Sequence, residues 1–565
     1  MMLLNPKTET FDQFDPHTKE LLLKTVRWFE AKGKQKIKDD DHERVWYADF
    51  LDFVKQEKLF ATFLTHGDYG NENSRWDTYR NVALNEIFGF YGLAYWYTWQ
   101  VTVLGLGPIW ISKNDYVKNQ TAHLLDKGEI FAFGLSEKEH GADIYASDMM
   151  LKPQPDGTYL AEGDKYYIGN GNEAALVSTF GRIENTDDYV FFVVNPNHDK
   201  YECVQNICNS QNYVAEFNLN DYPISEGDIL AKGRDAWDMS LNTVNVGKYN
   251  LGWASIGMCS HAFYEALNHA AHRNLFKHTV TDFTHIKQLF VDAYSRLTAM
   301  KLFALRASDY MRAASPKDRR YLLYNPTVKM KVTMQGEEVI NLLWDVIAAK
   351  GFEKDMFFEM AARDIRALPK LEGTIHVNMA LIIKFMANYF FRPKSFPETP
   401  LRDEPSNDDF LFNQGATKGL GKIKFHDYRL AYNSVDLPNI RIVKKQIATL
   451  KKLLLFARPN KEQIKDFDFL LNLGELFTLV VYGQLIIEKF IMDDLDHDLL
   501  DQIFDFIIRD FSKYALILYS KTSSTTLQKF FCKRILRKPT VNPERFNRVL
   551  NKHVYSLTDM YEMKL

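Results

Sequence analysis

The sequence predicts a mostly helical protein with a small β domain set between two helical domains and a further helical domain at the C-terminal end. Three observations carry that prediction. Apolar residues recur at three- and four-residue intervals before about residue 125 and again over 239–392. Between these spans the texture changes to short runs rich in β-branched and aromatic residues, punctuated by Asp-Gly, Asn-Gly and Asn-Pro. After a stretch with little periodicity, 393–440, helical spacing returns to the end of the chain.

Residues 1–125 form the first expected domain, on the strength of "TKELLLKTVRWFEAKGK" and "YRNVALNEIFGFYGLAYWYTWQ", neither of which contains proline. Residues 126–238 form the β domain, with "DGTYLAEGDKYYIGNG", "ALVSTFGRI", "DDYVFFVVNP" and "YVAEFNLNDYPI" as its strands. Residues 239–392 read as a helical bundle, including "FTHIKQLFVDAYSRLTAMKLFALRASDYMRAA" and "GEEVINLLWDVIAAK". Residues 393–440 read as a linker and 441–565 as a helical extension. At 565 residues with 46% apolar content, several domains with sizeable cores are expected.

Composition narrows function mainly by exclusion. The net charge of −3 gives no global field toward nucleic acid or anionic lipid. Four scattered cysteines make neither a disulfide framework nor a zinc site, so no metal is expected. The run "LFTLVVYGQLII" (476–487) is bounded by Glu475 and Glu488 and is shorter than the roughly 20 residues a membrane span needs. The N-terminus shows no basic or apolar targeting pattern, which sets the expectation of a soluble cytoplasmic protein. The extension is uneven: 493–510 carries seven aspartates, while 521–552 carries nine basic residues and one glutamate. Interleaved Phe530, Phe531 and Phe546 make that basic stretch the place where phosphates or a lipid surface would be met, against the plainer reading of solvated helix faces balanced by the acidic stretch.

Three motifs stand in order: "FAFGLSEKEHGAD" (131–143), "GDKYYIGNG" (163–171) and "RDIRALPKLEGT" (363–374). With the helix–sheet–helix order they make residues 1–392 resemble the acyl-CoA dehydrogenases, flavoenzymes built from a helical domain, a β-barrel or sandwich and a four-helix domain. The resemblance implies FAD as cofactor and oxidation of an acyl thioester to the 2-enoyl product. From the first motif it implies that Leu135 offers main-chain groups and Ser136 its hydroxyl to the flavin, with Ala142 near the substrate. From the second, Tyr167 replaces the family's tryptophan against the flavin ring. Gly169 there replaces a threonine whose hydroxyl meets the hydride-accepting N5. From the third, Glu372 is the base that removes the α-proton, Gly373 allows close approach of the substrate, and Thr374 meets the cofactor or a local main-chain group.

The family's alternative position for the base falls here on Gly247, beside Lys248, which leaves Glu372 as the candidate. "HRNLF" (272–276) resembles the Arg-x-x-Phe that in the family holds the pyrophosphate and adenine side of a neighbouring subunit's flavin, giving Arg273 and Phe276. Its glycine-rich pyrophosphate turn corresponds to "AAKGF" (348–352), preceded by Asp345. Trp96 and Trp99 fall on the helix that in the family lines the acyl cavity, and core packing is the even alternative for both. The extension is similar in texture to that of the very-long-chain branch, which implies a homodimer and a membrane surface as a further partner. An electron-transfer flavoprotein is the expected acceptor. Two other readings stay open at this stage: a weakly active relative that binds DNA or membrane through the basic extension, and an oxidase that uses oxygen.

Overall fold

The computed structural model describes residues 2–141 and 143–564 and divides them into two compact units. One comprises Thr10–Asn250 with Asp403–Lys418; the other comprises Leu251–Arg402 with Gly419–Glu562, each with a short terminal piece.

In the first unit, helices precede an eight-stranded sheet ordered β6-β7-β3-β2-β4-β5-β8, with β1 pairing β4. The strands are β1 (Phe131–Gly134), β2 (Met150–Pro153), β3 (Tyr159–Gly169), β4 (Leu176–Ile183), β5 (Tyr189–Val194), β6 (Tyr201–Asn206), β7 (Val214–Ile224) and β8 (Ile229–Lys232). The helix Leu93–Ile111 is apolar on all sides and buried, the expected behaviour of a core helix. Gly105 is what lets the sheet approach it. A β-carbon at that position would lie 2.7 Å from the Ala132 backbone of β1. The helix Thr78–Tyr91 begins on Asp77, whose carboxylate accepts from the Tyr79 N–H at 3.1 Å.

The span expected to be a linker is partly built into this unit. Asp408 accepts from the Thr78 N–H at 2.7 Å, adding a second acceptor at the start of that helix, and Asp409 accepts from the Gly67 N–H at 3.0 Å.

Among the described residues, the regular structure of the second unit is helical apart from one small hairpin and an isolated bridge. Its long members are Thr284–Arg312, Thr333–Ile347, Pro438–Phe456, Phe467–Met492 and His497–Ser520. The apolar run expected to be short lies within the 26-residue helix Phe467–Met492, which is long and apolar enough to cross a membrane. Here it is a core helix, with 83% of its most apolar window buried. The glutamates that bound the run are turned inward and neutralised: Glu475 pairs with Lys331 at 3.2 Å and Glu488 with Arg306 at 2.9 Å. Arg296–Asp510 (3.0 Å) and Arg509–Asp292 (2.9 Å) tie the extension to the helix Thr284–Arg312 in the same way.

Opposite charges in the extension also meet. Arg545 pairs with Asp501, Arg548 with Asp498 and Lys552 with Asp496, so part of the basic stretch is spent on the acidic stretch beside it.

Candidate active site

In the first unit, strand β3 departs from regular pairing between Lys165 and Ile168, where its register against β7 shifts. The bulge carries Tyr166 and Tyr167 out of the ladder. Tyr167 has φ 65°, a conformation a non-glycine residue rarely adopts, and its ring is 60% exposed. A flat aromatic surface is thus presented at a cost in backbone strain of about 1–3 kcal/mol, a feature concentrated at functional sites.

The first and second motifs are joined by hydrogen bonds. The Tyr166 N–H donates to the Ser136 carbonyl at 3.0 Å, and the Ser136 hydroxyl donates to the Tyr166 carbonyl at 2.7 Å. Its proton is therefore directed at protein, and Ser136 offers a ligand lone pairs rather than the expected donor. Leu135 uses its N–H on the Phe133 carbonyl, and its own carbonyl accepts from Lys165 Nζ at 3.2 Å.

Lys165 also donates to Glu137 at 2.6 Å, and both side chains are sealed from solvent. Burial pulls the Lys165 ammonium below its ordinary value, partly offset by Glu137. For Glu137 burial acts upward, but Lys165, the Asp148 N–H and the Ser147 hydroxyl outweigh it and hold the carboxyl below the usual range. Sequence reasoning missed this pair, although the lysine of "GDK" and the glutamate of "LSE" lie inside the motifs.

Gly169 ends β3 with no room for a side chain. A β-carbon would lie 2.7 Å from Tyr97 Cε1 and Val101 Cγ2, and 2.8 Å from the Tyr97 hydroxyl. Trp96 and Trp99, the expected acyl-cavity residues, point into the core instead. The Trp96 indole donates to Asn85 at 2.8 Å, and Trp99 packs edge-on against Phe60 and Phe88. Both are fully buried, whereas Tyr97 between them is half-buried. Helical spacing explains the difference, since neighbouring residues on a helix face different sides. Lys248 is buried where the helix Gly233–Gly247 ends, and Ala142 lies outside the described residues.

In the second unit, Glu372 and Gly373 are consecutive residues with φ 52° and 82°. A left-handed glutamate is strained, and the loop that holds it is firmly anchored. Lys329 donates to the Pro369 and Gly373 carbonyls at 2.7 and 2.6 Å, and Asn378 donates to the Gly373 and Thr374 carbonyls at 3.1 and 3.0 Å. Lys329 comes from a π-helical turn, Val328–Val332, inserted between two helices. Thr374 caps the helix Ile375–Ile383, accepting from the Val377 N–H at 3.4 Å, so its hydroxyl serves the local main chain. Glu372 itself is half-buried.

Arg273 and Phe276 sit at the hairpin formed by Asn274–Leu275 and His278–Thr279. Phe276 has φ 52° and is 88% exposed. Arg273 Nη1 lies 3.3 Å from His269 Nε2. Burial, then the Arg273 and Lys350 cations, push the His269 imidazole below its ordinary value. Arg273 thus lies against a ring whose charged form is disfavoured, at the same hairpin as an exposed aromatic, while Lys350 is paired with Glu353 at 2.7 Å. Asp345 is exposed, so its charge remains in water.

Residues 235–387 match the family model described as acyl-CoA dehydrogenase, C-terminal domain. A probable short/branched chain specific acyl-CoA dehydrogenase of Dictyostelium discoideum is 21% identical over 47% of this chain and 65% of its own length. A 3-(aryl)acrylate reductase of Clostridium sporogenes is 21% identical over 64% of this chain and 97% of its own. Among solved structures, an acyl-CoA dehydrogenase from Bacillus anthracis complexed with FAD superposes with a TM-score of 0.74 at 15% identity, covering 98% of this chain and 97% of that one.

Proposed function

We propose, for a chain that belongs to the acyl-CoA dehydrogenase family, that it binds FAD and oxidises an acyl thioester, carried on coenzyme A or a carrier protein, to the trans-2-enoyl thioester. The single observation that carries this reading is Glu372, a strained glutamate on a loop fixed by Lys329 and Asn378.

Two features of the chain fit a flavin nucleotide. Tyr167 is exposed on a bulge, and Arg273 lies 3.3 Å from His269 at the hairpin that carries the exposed Phe276. In the first unit Tyr167 would take a flat ring; in the second, taken by itself, Arg273 and Phe276 would take a diphosphate and adenine. Bound FAD supplies the acceptor for the β-hydride.

The rest belongs to the protein. Glu372 would take the α-proton as the carbon–carbon double bond forms, the β-hydride leaving to the acceptor that FAD would supply. The carboxylate needs a water-poor setting to act as a base near neutral pH, and its half-buried position supplies part of it. Gly373, without a side chain, leaves room for the thioester beside it. An electron-transfer flavoprotein would be the partner that accepts the electrons, as the name of a related subunit of a caffeyl-CoA reductase-Etf complex suggests.

The DNA- or membrane-binding reading is the less favoured, because Arg545, Arg548 and Lys552 are already paired with aspartates. The decisive experiment is anaerobic mixing of the yellow holoprotein with a panel of acyl thioesters, for wild type and Glu372→Gln. Bleaching in wild type that slows about 10³-fold in the variant, at unchanged FAD content, supports the proposal. Equal bleaching in both ends the role of Glu372.

A further inference from the structure

One turn of helix holds both the loop that carries Glu372 and the C-terminal extension. Lys329 and Lys331 stand on the π-helical turn Val328–Val332, and both are sealed from solvent. Two positions along a helical turn point to nearly opposite sides, at roughly 100° per residue. Lys329 reaches the Pro369 and Gly373 carbonyls, one on either side of Glu372. Lys331 reaches Glu475 at 3.2 Å, and its ammonium lies 5.1 Å from the ring centre of Tyr514. Glu475 and Tyr514 belong to the extension, on the helices Phe467–Met492 and His497–Ser520.

A second contact grips the far end of the loop. Gly474, the neighbour of Glu475, packs closely on the helix Ile375–Ile383. A β-carbon there would lie 2.3 Å from Met379 Sδ and 3.0 Å from Ile383 Cγ1. Thr374 caps that helix directly after Glu372 and Gly373. The strained pair is thus bracketed by two elements that each rest on the extension.

We infer that the extension is a brace for the Glu372 loop, and that Lys331 and Glu475 are the positioning residues through which it acts. The bearing of that brace on the reaction rests on the role of Glu372 proposed above. A left-handed glutamate persists only where its surroundings over-determine it. Slackening at Glu475 reaches the carbonyls that Lys329 holds because close-packed interiors transmit strain.

The test compares full-length holoprotein of wild type, Glu475→Gln, the double variant Lys331→Met/Glu475→Leu, and Arg545→Met. Glutamine keeps the shape and removes the charge, and the double variant leaves no orphaned charge should the single one fold poorly. Arg545 pairs with Asp501 within the extension, so its loss weakens that domain through other contacts. Melting temperature, FAD content, amide exchange, acyl-thioester affinity and the limiting rate of flavin reduction are measured for each. The Leu371 and Asn378 amides, bonded to the Ala367 and Thr374 carbonyls, report on the loop. In Glu475→Gln and the double variant they are expected to exchange about tenfold faster, with FAD content and thioester affinity kept and reduction about tenfold slower. Arg545→Met is expected to lower the melting temperature while loop exchange and reduction rate stay at wild-type values.

Unchanged loop exchange in either charge-removing variant that folds overturns the brace. So does equal acceleration in Arg545→Met, which would make the effect a general loosening of the extension. Faster loop exchange in the variants, with a wild-type flavin that no thioester reduces, supports the brace and ends the proposed role of Glu372.

Discussion

Lys165 and Glu137 form a buried ion pair, Nζ to Oε1 2.6 Å, with the lysine side chain 0% and the glutamate 4% exposed. The pair is the joint between two motifs. Glu137 gathers the Ser147 hydroxyl and the N–H groups of Asp148 and Met149, while Lys165 holds the Leu135 carbonyl. Removing one partner leaves an uncompensated charge in the core. Lys165→Met and Glu137→Gln should each lower unfolding free energy by about 3–5 kcal/mol in urea titrations. The double variant should lose less than the two losses added together, because no orphaned charge remains. Strict additivity would show that the two side chains act independently.

Tyr167 should behave in the opposite way. Its ring is 60% exposed and its nearest aromatic contact is an edge-on Tyr166 at 4.8 Å, so it contributes little to the core. Tyr167→Ala should leave the melting temperature of the apoprotein within about 2 °C, since surface changes stay within roughly 0.5 kcal/mol. FAD affinity should fall about tenfold by fluorescence titration, the value of one lost stacking surface. A large drop in apoprotein stability with unchanged FAD affinity would remove the ring from the cofactor site.

The extension should be sensitive to acid through Asp496. Burial pushes its carboxyl up, but the side chains of Lys552 and His553 and the Asp498 N–H outweigh that and hold it at about 2. Because the folded value lies below the ordinary 3.8, the contribution is complete above pH 4 and is lost as pH falls from about 4 to 2. Asp496→Asn should lower stability at pH 6 and flatten the wild-type decline between pH 4 and 2, read from urea midpoints across that range. A variant with the wild-type acid profile would place the acid sensitivity elsewhere.

The helix–sheet–helix order was legible because periodicity reports which faces are buried, and long proline-free helices and short aromatic strands differ strongly in it. The three motifs were legible as residues, but their local roles were not. Nothing in "YWYTWQ" distinguishes the tyrosine that meets Gly169 from the tryptophans that pack on Asn85, Phe60 and Phe88. Only the phase of the helix does, and a one-residue error reverses the assignment. The extent of the helix Phe467–Met492 was hidden for another reason. Glu475 and Glu488 read as boundaries until Lys331 and Arg306, more than a hundred residues away in sequence, neutralise them inside the core. The long proline-containing stretch concealed its order similarly, since Asp408 and Asp409 find their N–H partners at Thr78 and Gly67.

The clearest case of residues compensating across elements is Gly169. Restoring the family's threonine there is expected to harm the protein. The new β-carbon would meet Tyr97 Cε1 and Val101 Cγ2 at 2.7 Å, and the Asn170 clamp on Thr98 prevents strand and helix from separating. Overpacking of this kind costs about 1–3 kcal/mol, so Gly169→Thr should unfold at correspondingly lower urea. Adding Tyr97→Ala and Val101→Ala removes both obstructing groups. The triple variant should then recover stability relative to the sum of its parts, a coupling of roughly 1 kcal/mol or more between residues in contact. Additive losses in the triple variant would mean that the strand end relaxes without reference to the helix, and that glycine at 169 does not owe its place to the tyrosine.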